Sequence, residues 1–422
     1  MLNKKITAGK NYFNIVRSFI ILLFILIIAS PETSLAPAIS ITKNQFWSFY
    51  NYKISFFTII DYIILIFIFL LCFKFLKRSI NLGRFVIFIN FYFFYFLVGV
   101  IYNIFVNFSF KALLFDIKIL SYCLIPYLIL INFFPKNKFN LNYILAILIL
   151  MFIGSLYDNL IVSSTFVPQY QSRFFNTVIF KNEIIPPILV SLLFFSNYSS
   201  LVKFTLFFLI ILQIIIAYDI SSLGVIFYYL TSIYIAISIL ILNKFFHKSK
   251  FFLILIFFNI FFVIHLLPLF ILFIDNFFSN IKIDGWSLRR TEFLNFFLNS
   301  LSDFTIILGK GVGNTWQEYF KSVHSNEYST GPFESNYKYI WHSSIASQFL
   351  KWGIFGYAFL VYCIYLIFFK LIKGYTQYKN ILSYLLITVV YLNLVSPGIL
   401  KMSIISGIIL YFIDQSLNEN EN

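Results

Sequence analysis

The sequence predicts an all-α protein, a polytopic bundle of transmembrane helices carrying one large polar loop. Three observations predict it. Sixty per cent of the residues are hydrophobic, 11% are charged and the mean hydropathy is +0.89, whereas about a quarter of a soluble domain is charged. Apolar runs of about 17–25 residues, each enough to cross a bilayer as a helix, recur along the chain. The third is a single polar stretch over residues 276–343, set in a chain that is apolar nearly everywhere else. A bundle does not need such a loop to span a bilayer, so the loop is where chemistry is expected.

Taken in order, the apolar runs give about twelve spans, at roughly 16–36, 54–75, 84–106, 112–134, 141–162, 183–198, 202–219, 222–242, 251–274, 344–369, 380–396 and 398–414. Lys4, Lys5, Lys10 and Arg17 precede the first run, and the Ala-Ser-Pro-Glu that ends it is a poor cleavage site, so the run reads as a retained span. Pro31, Pro126 and Pro186-Pro187 fall in or beside spans and predict kinks, with freed backbone groups satisfied by neighbouring helices. Three parts follow: residues 1–275 with the first nine spans, the loop 276–343, and residues 344–422 with the last three spans and a tail. Loop lengths show no internal repeat, which argues against a two-half transporter.

Charge gives the orientation. The net charge is +15, but its distribution argues against a nucleic-acid partner. With the N-terminus inside, the inner loops carry Lys74, Lys77, Arg78 and Arg84, then Lys136 and Lys138, Lys203, Lys244, Lys248 and Lys250, and Lys370, Lys373 and Lys379. The outer loops are nearly free of cations, apart from 163–182 and the polar loop itself. This is the positive-inside pattern, which long loops obey weakly. Both termini are then cytoplasmic, and the loop faces the exterior or periplasm. Cys72, Cys123 and Cys363 lie in apolar runs and read as buried small hydrophobes.

Six arginines occur in the chain. Arg17, Arg78 and Arg84 flank inner span ends as anchors, while Arg173, Arg289 and Arg290 fall on the outer side. A guanidinium fork fits phosphate oxygens and keeps its charge at any working pH. An outer cavity lined by these three suits a lipid-linked diphosphate; pairing with headgroups or with Glu183 and Glu292 is the plainer alternative. Ser287–Leu301 has a helical apolar rhythm through Leu288, Phe293, Leu294, Phe296, Phe297 and Leu301, which predicts a short interfacial helix with Arg289 and Arg290 in its first turn.

Gly309, Gly311 and Gly313 alternate after Thr305-Ile306-Ile307. Alternating glycines permit positive φ and close backbone approach, and their N–H groups can form an anion nest. The spacing is neither that of a P-loop nor that of a Rossmann turn. His342 stands at the outer mouth of the tenth span and is a candidate general base; a hydrogen-bonded bystander is the alternative. His247, His265 and His324 carry no such placement. Asp61, Asp116, Asp158 and Asp219 are ionisable groups within spans and so functional suspects, although Asp116 and Lys118 can neutralise one another. No histidine and acid cluster has metal-ligand spacing. No metal or other cofactor is therefore expected, with arginines standing where a cation would clamp a diphosphate.

Read together, Arg289-x3-Phe293, Leu308-Gly309-Lys310-Gly311-Val312-Gly313 and His342-Ser343 with Gly353 and Gly356 resemble the O-antigen ligase/polymerase superfamily. Ser172-Arg173 followed by Phe180-Lys181-Asn182-Glu183 is similar to the family's arginine and asparagine motif before a span. Departures are Ser343 where relatives carry Asn, Phe293 where Trp is frequent, and Ser221-Ser222-Leu223-Gly224 without the arginine of a Ser-Arg-Gly. The resemblance implies a GT-C-like bundle and a membrane glycosyltransferase whose donor is a glycan on undecaprenyl diphosphate. His342 would take the acceptor's proton, and Arg173 with Arg289 or Arg290 would neutralise the leaving diphosphate. Implied partners are the lipid-linked oligosaccharide, membrane lipid and a chain-length regulator protein. A polymerase of repeat units and a ligase to lipid A–core both fit. A lipid-linked oligosaccharide flippase should show short loops on both faces and charge deep in its spans. A scaffolding protein should tolerate loss of Arg289, Arg290 and His342.

Overall fold

The computed structural model describes residues 2–30, 53–54, 57–77, 80–105, 110–135, 139–165, 185–219, 223–245, 254, 259, 295, 298, 305–313, 316–317, 337–338, 344–373, 378–395 and 400–419. These are mostly helical, as expected for an all-α bundle. The helices are α1 (Leu2–Ala29), α2 (Ile59–Lys77), α3 (Val86–Phe105), α4 (Phe110–Phe133), α5 (Leu141–Thr165), α6 (Ile185–Phe195), α7 (Ser200–Asp219), α8 (Leu223–Phe245), α9 (Thr305–Leu308), α10 (Ser344–Lys373), α11 (Lys379–Val395) and α12 (Leu400–Glu419). A helix therefore stands at every expected span except the ninth, which lies almost wholly outside the described residues. Two antiparallel ladders of two residues each complete the elements: β1 (Lys53–Ile54) with β2 (Phe57–Thr58), and β3 (Trp316–Gln317) with β4 (Tyr337–Lys338).

Among the described residues, three stretches are long and apolar enough to cross a membrane: Ile59–Leu76 in α2, Asp116–Phe133 in α4 and Lys351–Lys373 in α10. Shorter apolar stretches occur in α1, α3 and α5 to α8. Large apolar side chains are exposed along several of them; Phe69 is 70% exposed, Leu201 75% and Phe204 66%. Water rarely tolerates that much apolar surface, whereas lipid tails do. The chain is a membrane protein on these grounds.

Local chemistry sets several helix boundaries. Thr58 precedes α2, and its backbone N–H and hydroxyl both donate to Asp61 Oδ2, at 2.8 and 2.7 Å. The Asp61 N–H returns a long bond to Thr58 Oγ1 at 3.4 Å. This is a reciprocal helix cap. Tyr122 donates to the other carboxylate oxygen of Asp61 at 2.6 Å. Asp61 was a functional suspect in the sequence, and the cap accounts for its presence in a span. Pro126 stays inside a continuous α4, and Pro186-Pro187 sit in the first turn of α6, where missing N–H groups are harmless.

The chain divides into two compact units: Met1–Gly83, Tyr122–Ala236 and Ile404–Asn422 form the first, and Arg84–Ser121 with Ile237–Ser403 form the second. In the first, α1 packs on α5, α5 on α6 and α6 on α7. The C-terminal end of α4 is closed by donors from other helices of that unit. Arg17 Nε donates to Phe133 O at 2.7 Å, Tyr411 Oη donates to Phe134 O at 2.6 Å, and Lys74 Nζ donates to Asn132 O. Asn132 is itself buried; its Oδ1 accepts from Asn81 N and its Nδ2 donates to Asn81 O. Cations here also complement the negative end of the helix dipole. Arg17 and Lys74 thus act as caps of α4. Asp414, fully buried, accepts from Tyr127 at 3.2 Å.

The cysteines depart from expectation. All three are free, yet Cys72 is exposed and Cys123 is only partly covered, while Cys363 is buried. A thiol is apolar enough to face hydrocarbon, so a span does not require it to be inside.

Candidate functional site

The second unit contains the glycine turn of the polar loop, and its surroundings are built from α3, α4, α9 and α10. Helix α9 is a single turn that delivers the chain into Gly309-Lys310-Gly311-Val312-Gly313. All three glycines have positive φ, at 73°, 80° and 84°, a region that L side chains rarely adopt. The turn is not a surface feature: Lys310 is 7% exposed and Val312 8%.

Three successive N–H groups of the turn are taken by protein acceptors. Gly311 N–H donates to Lys351 O at 2.7 Å and Val312 N–H to Tyr95 O at 3.1 Å. Gly313 N–H donates to Asp116 Oδ2 at 2.9 Å. The other oxygen of Asp116 accepts from Lys351 Nζ in an ion pair whose side chains are 10% and 12% exposed. This corrects one sequence reading. At Gly311, Val312 and Gly313 the turn is not an open nest awaiting phosphate; the anion it receives is the carboxylate of Asp116. Nor does Asp116 depend on its near neighbour Lys118 for charge balance, because Lys351 supplies it.

A break in α10 receives the turn. Gly353 has φ 62° and ψ −176° inside an otherwise helical run, a conformation essentially reserved for glycine. The carbonyls at the end of a helical segment lack intrahelical donors. Here Lys351 O accepts from Gly311 N–H, and Trp352 O accepts from Tyr95 Oη at 2.8 Å. The fit is backbone on backbone. A Cβ on Gly353 would overlap Ile307 O, one on Gly309 would overlap Lys351 O, and one on Gly311 would overlap the backbone of Gly99 in α3. Around the turn, Phe91, Tyr95, Leu113, Val312 and Trp352 form a buried apolar cluster, with Phe91 and Tyr92 each edge-on to Trp352 at 5.5 Å. The Trp352 Nε1 donor is buried and finds no partner among the described residues.

Gly99, Asp116 and Lys351 each stand about 9–11 Å inside the ends of their helices, at 1.5 Å per residue. The apolar windows of α4 and α10 begin at Asp116 and Lys351 themselves. The glycine turn therefore meets α4 and α10 where their long apolar stretches begin. Irregular backbone is tolerated at that depth only where protein surrounds it and satisfies its polar groups, and the three hydrogen bonds and the cluster do so.

Arg173, Arg289, Arg290 and His342 lie outside the described residues. Two residues of the predicted interfacial helix are described: Asn295 and Leu298 are both helical, but Asn295 is fully buried and Leu298 is 36% exposed. Asp158 and Asp219, suspects in α5 and α7, are helical, but their side chains lie outside what is described. Sequence reasoning missed Lys351 altogether, although a lysine at the start of an apolar run beside Trp352-Gly353 was a visible signal. No family model, no curated protein and no solved structure matches the chain.

Proposed function

We propose that the chain is a membrane glycosyltransferase that polymerises lipid-linked oligosaccharide repeat units. The donor glycan is carried on undecaprenyl diphosphate, and the acceptor is the non-reducing end of another repeat unit. One observation carries the reading furthest: the glycine turn of the long polar loop is seated by Asp116, Lys351 and Tyr95 where the long apolar stretches of α4 and α10 begin. A loop fixed at that level can meet a lipid-linked diphosphate, whose head lies in the interface and whose tail lies in the hydrocarbon.

In this reading the loop faces the periplasm of a bacterial inner membrane and both termini are cytoplasmic. Arg289, Arg290 and Arg173 grip the diphosphate with bidentate hydrogen bonds. An acceptor hydroxyl oxygen attacks the anomeric carbon, the bond from that carbon to the diphosphate oxygen breaks, and the diphosphate leaves with the electron pair. His342 takes the hydroxyl proton. In-line attack inverts the anomeric configuration. The arginines neutralise charge as it grows on the leaving group, the kind of preorganised stabilisation that contributes most to many enzymes.

The test is deletion of the gene in its host, followed by electrophoresis of the surface polysaccharide. The reading predicts that the ladder collapses to core bearing a single repeat unit. It further predicts that His342→Ala, at normal protein level, fails to restore the ladder, with transfer reduced about 10²–10⁴-fold, as for loss of a general base. Bare core with long polymer held on undecaprenyl diphosphate would instead identify a ligase. An unchanged ladder contradicts the reading.

A further inference from the structure

We infer that Asp116 is a positioning residue for the loop chemistry, acting with Lys351 as a clamp that sets where both arms of the polar loop leave the helical framework. The inference rests on the proposed function for its reaction, but its structural part stands on the geometry alone. Asp116 joins the turn to two helices at once. It belongs to α4, it accepts the Gly313 N–H of the turn, and it holds the ammonium of α10. Lys351 in turn presents its carbonyl to Gly311 N–H, so the same residue grips the turn by backbone and the carboxylate by side chain.

The clamp stands between the two halves of the proposed machinery in the chain. Arg289 and Arg290 precede the turn and His342 follows it, ahead of Ser344 where α10 begins. The glycines bar adjustment by side chains, because they fit against the Gly99, Lys351 and Gly353 backbones without room for a Cβ. The turn is therefore held by backbone fit and by Asp116. A carboxylate is suited to the task. It can accept from an amide and an ammonium simultaneously, and the lysine cancels the charge that would otherwise be stranded near the apolar layer. A misplacement of about 1 Å in such a site can cost about 10²-fold in rate, which makes seating the loop a catalytic requirement rather than a matter of stability only.

The test uses the full chain in membranes, with Cys72, Cys123 and Cys363 replaced by Ser or Ala and a reporter thiol introduced by Val312→Cys. Two quantities are read: the alkylation rate of that thiol by N-ethylmaleimide, and the kcat and KM of glycan transfer from lipid-linked donor. Asp116→Asn is expected to raise alkylation at least about tenfold and to lower kcat at least about tenfold, with donor KM within about threefold, because the arginines and the lipid tail still bind donor. The exchange Asp116→Lys with Lys351→Asp restores charge balance but leaves Gly313 N–H without its acceptor at position 116. It is expected to recover protein level but neither slow alkylation nor kcat. Unchanged alkylation or unchanged kcat in Asp116→Asn overturns the inference, as does recovery of kcat in the exchanged pair. If the unaltered chain transfers no glycan while alkylation still rises in Asp116→Asn, the proposed function fails and the clamp stands as the device that seats the loop.

Discussion

At its C-terminal end helix α4 offers carbonyls and receives donors; near its N-terminal end it offers a carboxylate and receives both an ammonium and a backbone N–H. The first end, in one unit, is closed by Arg17, Lys74 and Tyr411 reaching to Phe133 O, Asn132 O and Phe134 O. Each donor comes from a different helix and serves a different carbonyl. The second end, in the other unit, depends on one residue, Asp116, which holds the glycine turn and Lys351 together. Both arrangements satisfy polar groups in an apolar setting. Their difference lies in how many residues share the task. Loss of one donor at the C-terminal end leaves two carbonyls still served, whereas loss of Asp116 removes the acceptor of an ammonium and of an amide at once. A region built for stability can be distributed in this way; a region that must hold a loop in one place is better concentrated.

The comparison is broken most directly at Gly353. Gly353→Ala forces a Cβ into Ile307 O at a positive φ. The conformation alone costs about 1–3 kcal/mol and the overlap adds to it, so little folded protein should survive detergent extraction on a size-exclusion trace. A normal monodisperse peak would mean that the turn does not dock into the break in α10.

A contrast in thermal unfolding then sharpens it. Asp116→Leu removes the carboxylate that pairs with Lys351 in a poorly solvated site, and breaking one side of such a buried pair costs about 3–5 kcal/mol. Tyr411→Phe deletes one neutral hydrogen bond at the other end of α4 and should cost about 1 kcal/mol. Equal losses for the two variants would erase the distinction between a concentrated and a distributed end.

Much of the helical framework is legible in the sequence, because a span announces itself by local composition. The expected 84–106, 112–134 and 141–162 became α3, α4 and α5 within a few residues. The positive φ of Gly309, Gly311 and Gly313 is legible for the same reason: alternating glycines have few other uses. What they pack against is not. Asp116 and Lys351 are 235 residues apart in the chain, and no periodicity links them; Lys118, two residues away, is the partner that spacing suggests. Asp61 shows the opposite failure. A threonine three residues ahead of it and an apolar run behind it spell a helix cap, yet an acid in a span reads first as a functional group. The nest reading of the glycines failed because sequence indicates where N–H groups converge but not whether protein has already claimed them.

The central claim is that the polar loop is anchored by its glycine turn within the helical framework. Hydrogen–deuterium exchange on the purified chain in lipid nanodiscs, read on peptides covering Gly309–Gly313, tests it most directly. The account predicts that the amides of Gly311, Val312 and Gly313 exchange as slowly as those of α3 and α10, because all three donate to buried acceptors. Complete exchange within seconds would contradict it and would leave the turn as an ordinary surface loop.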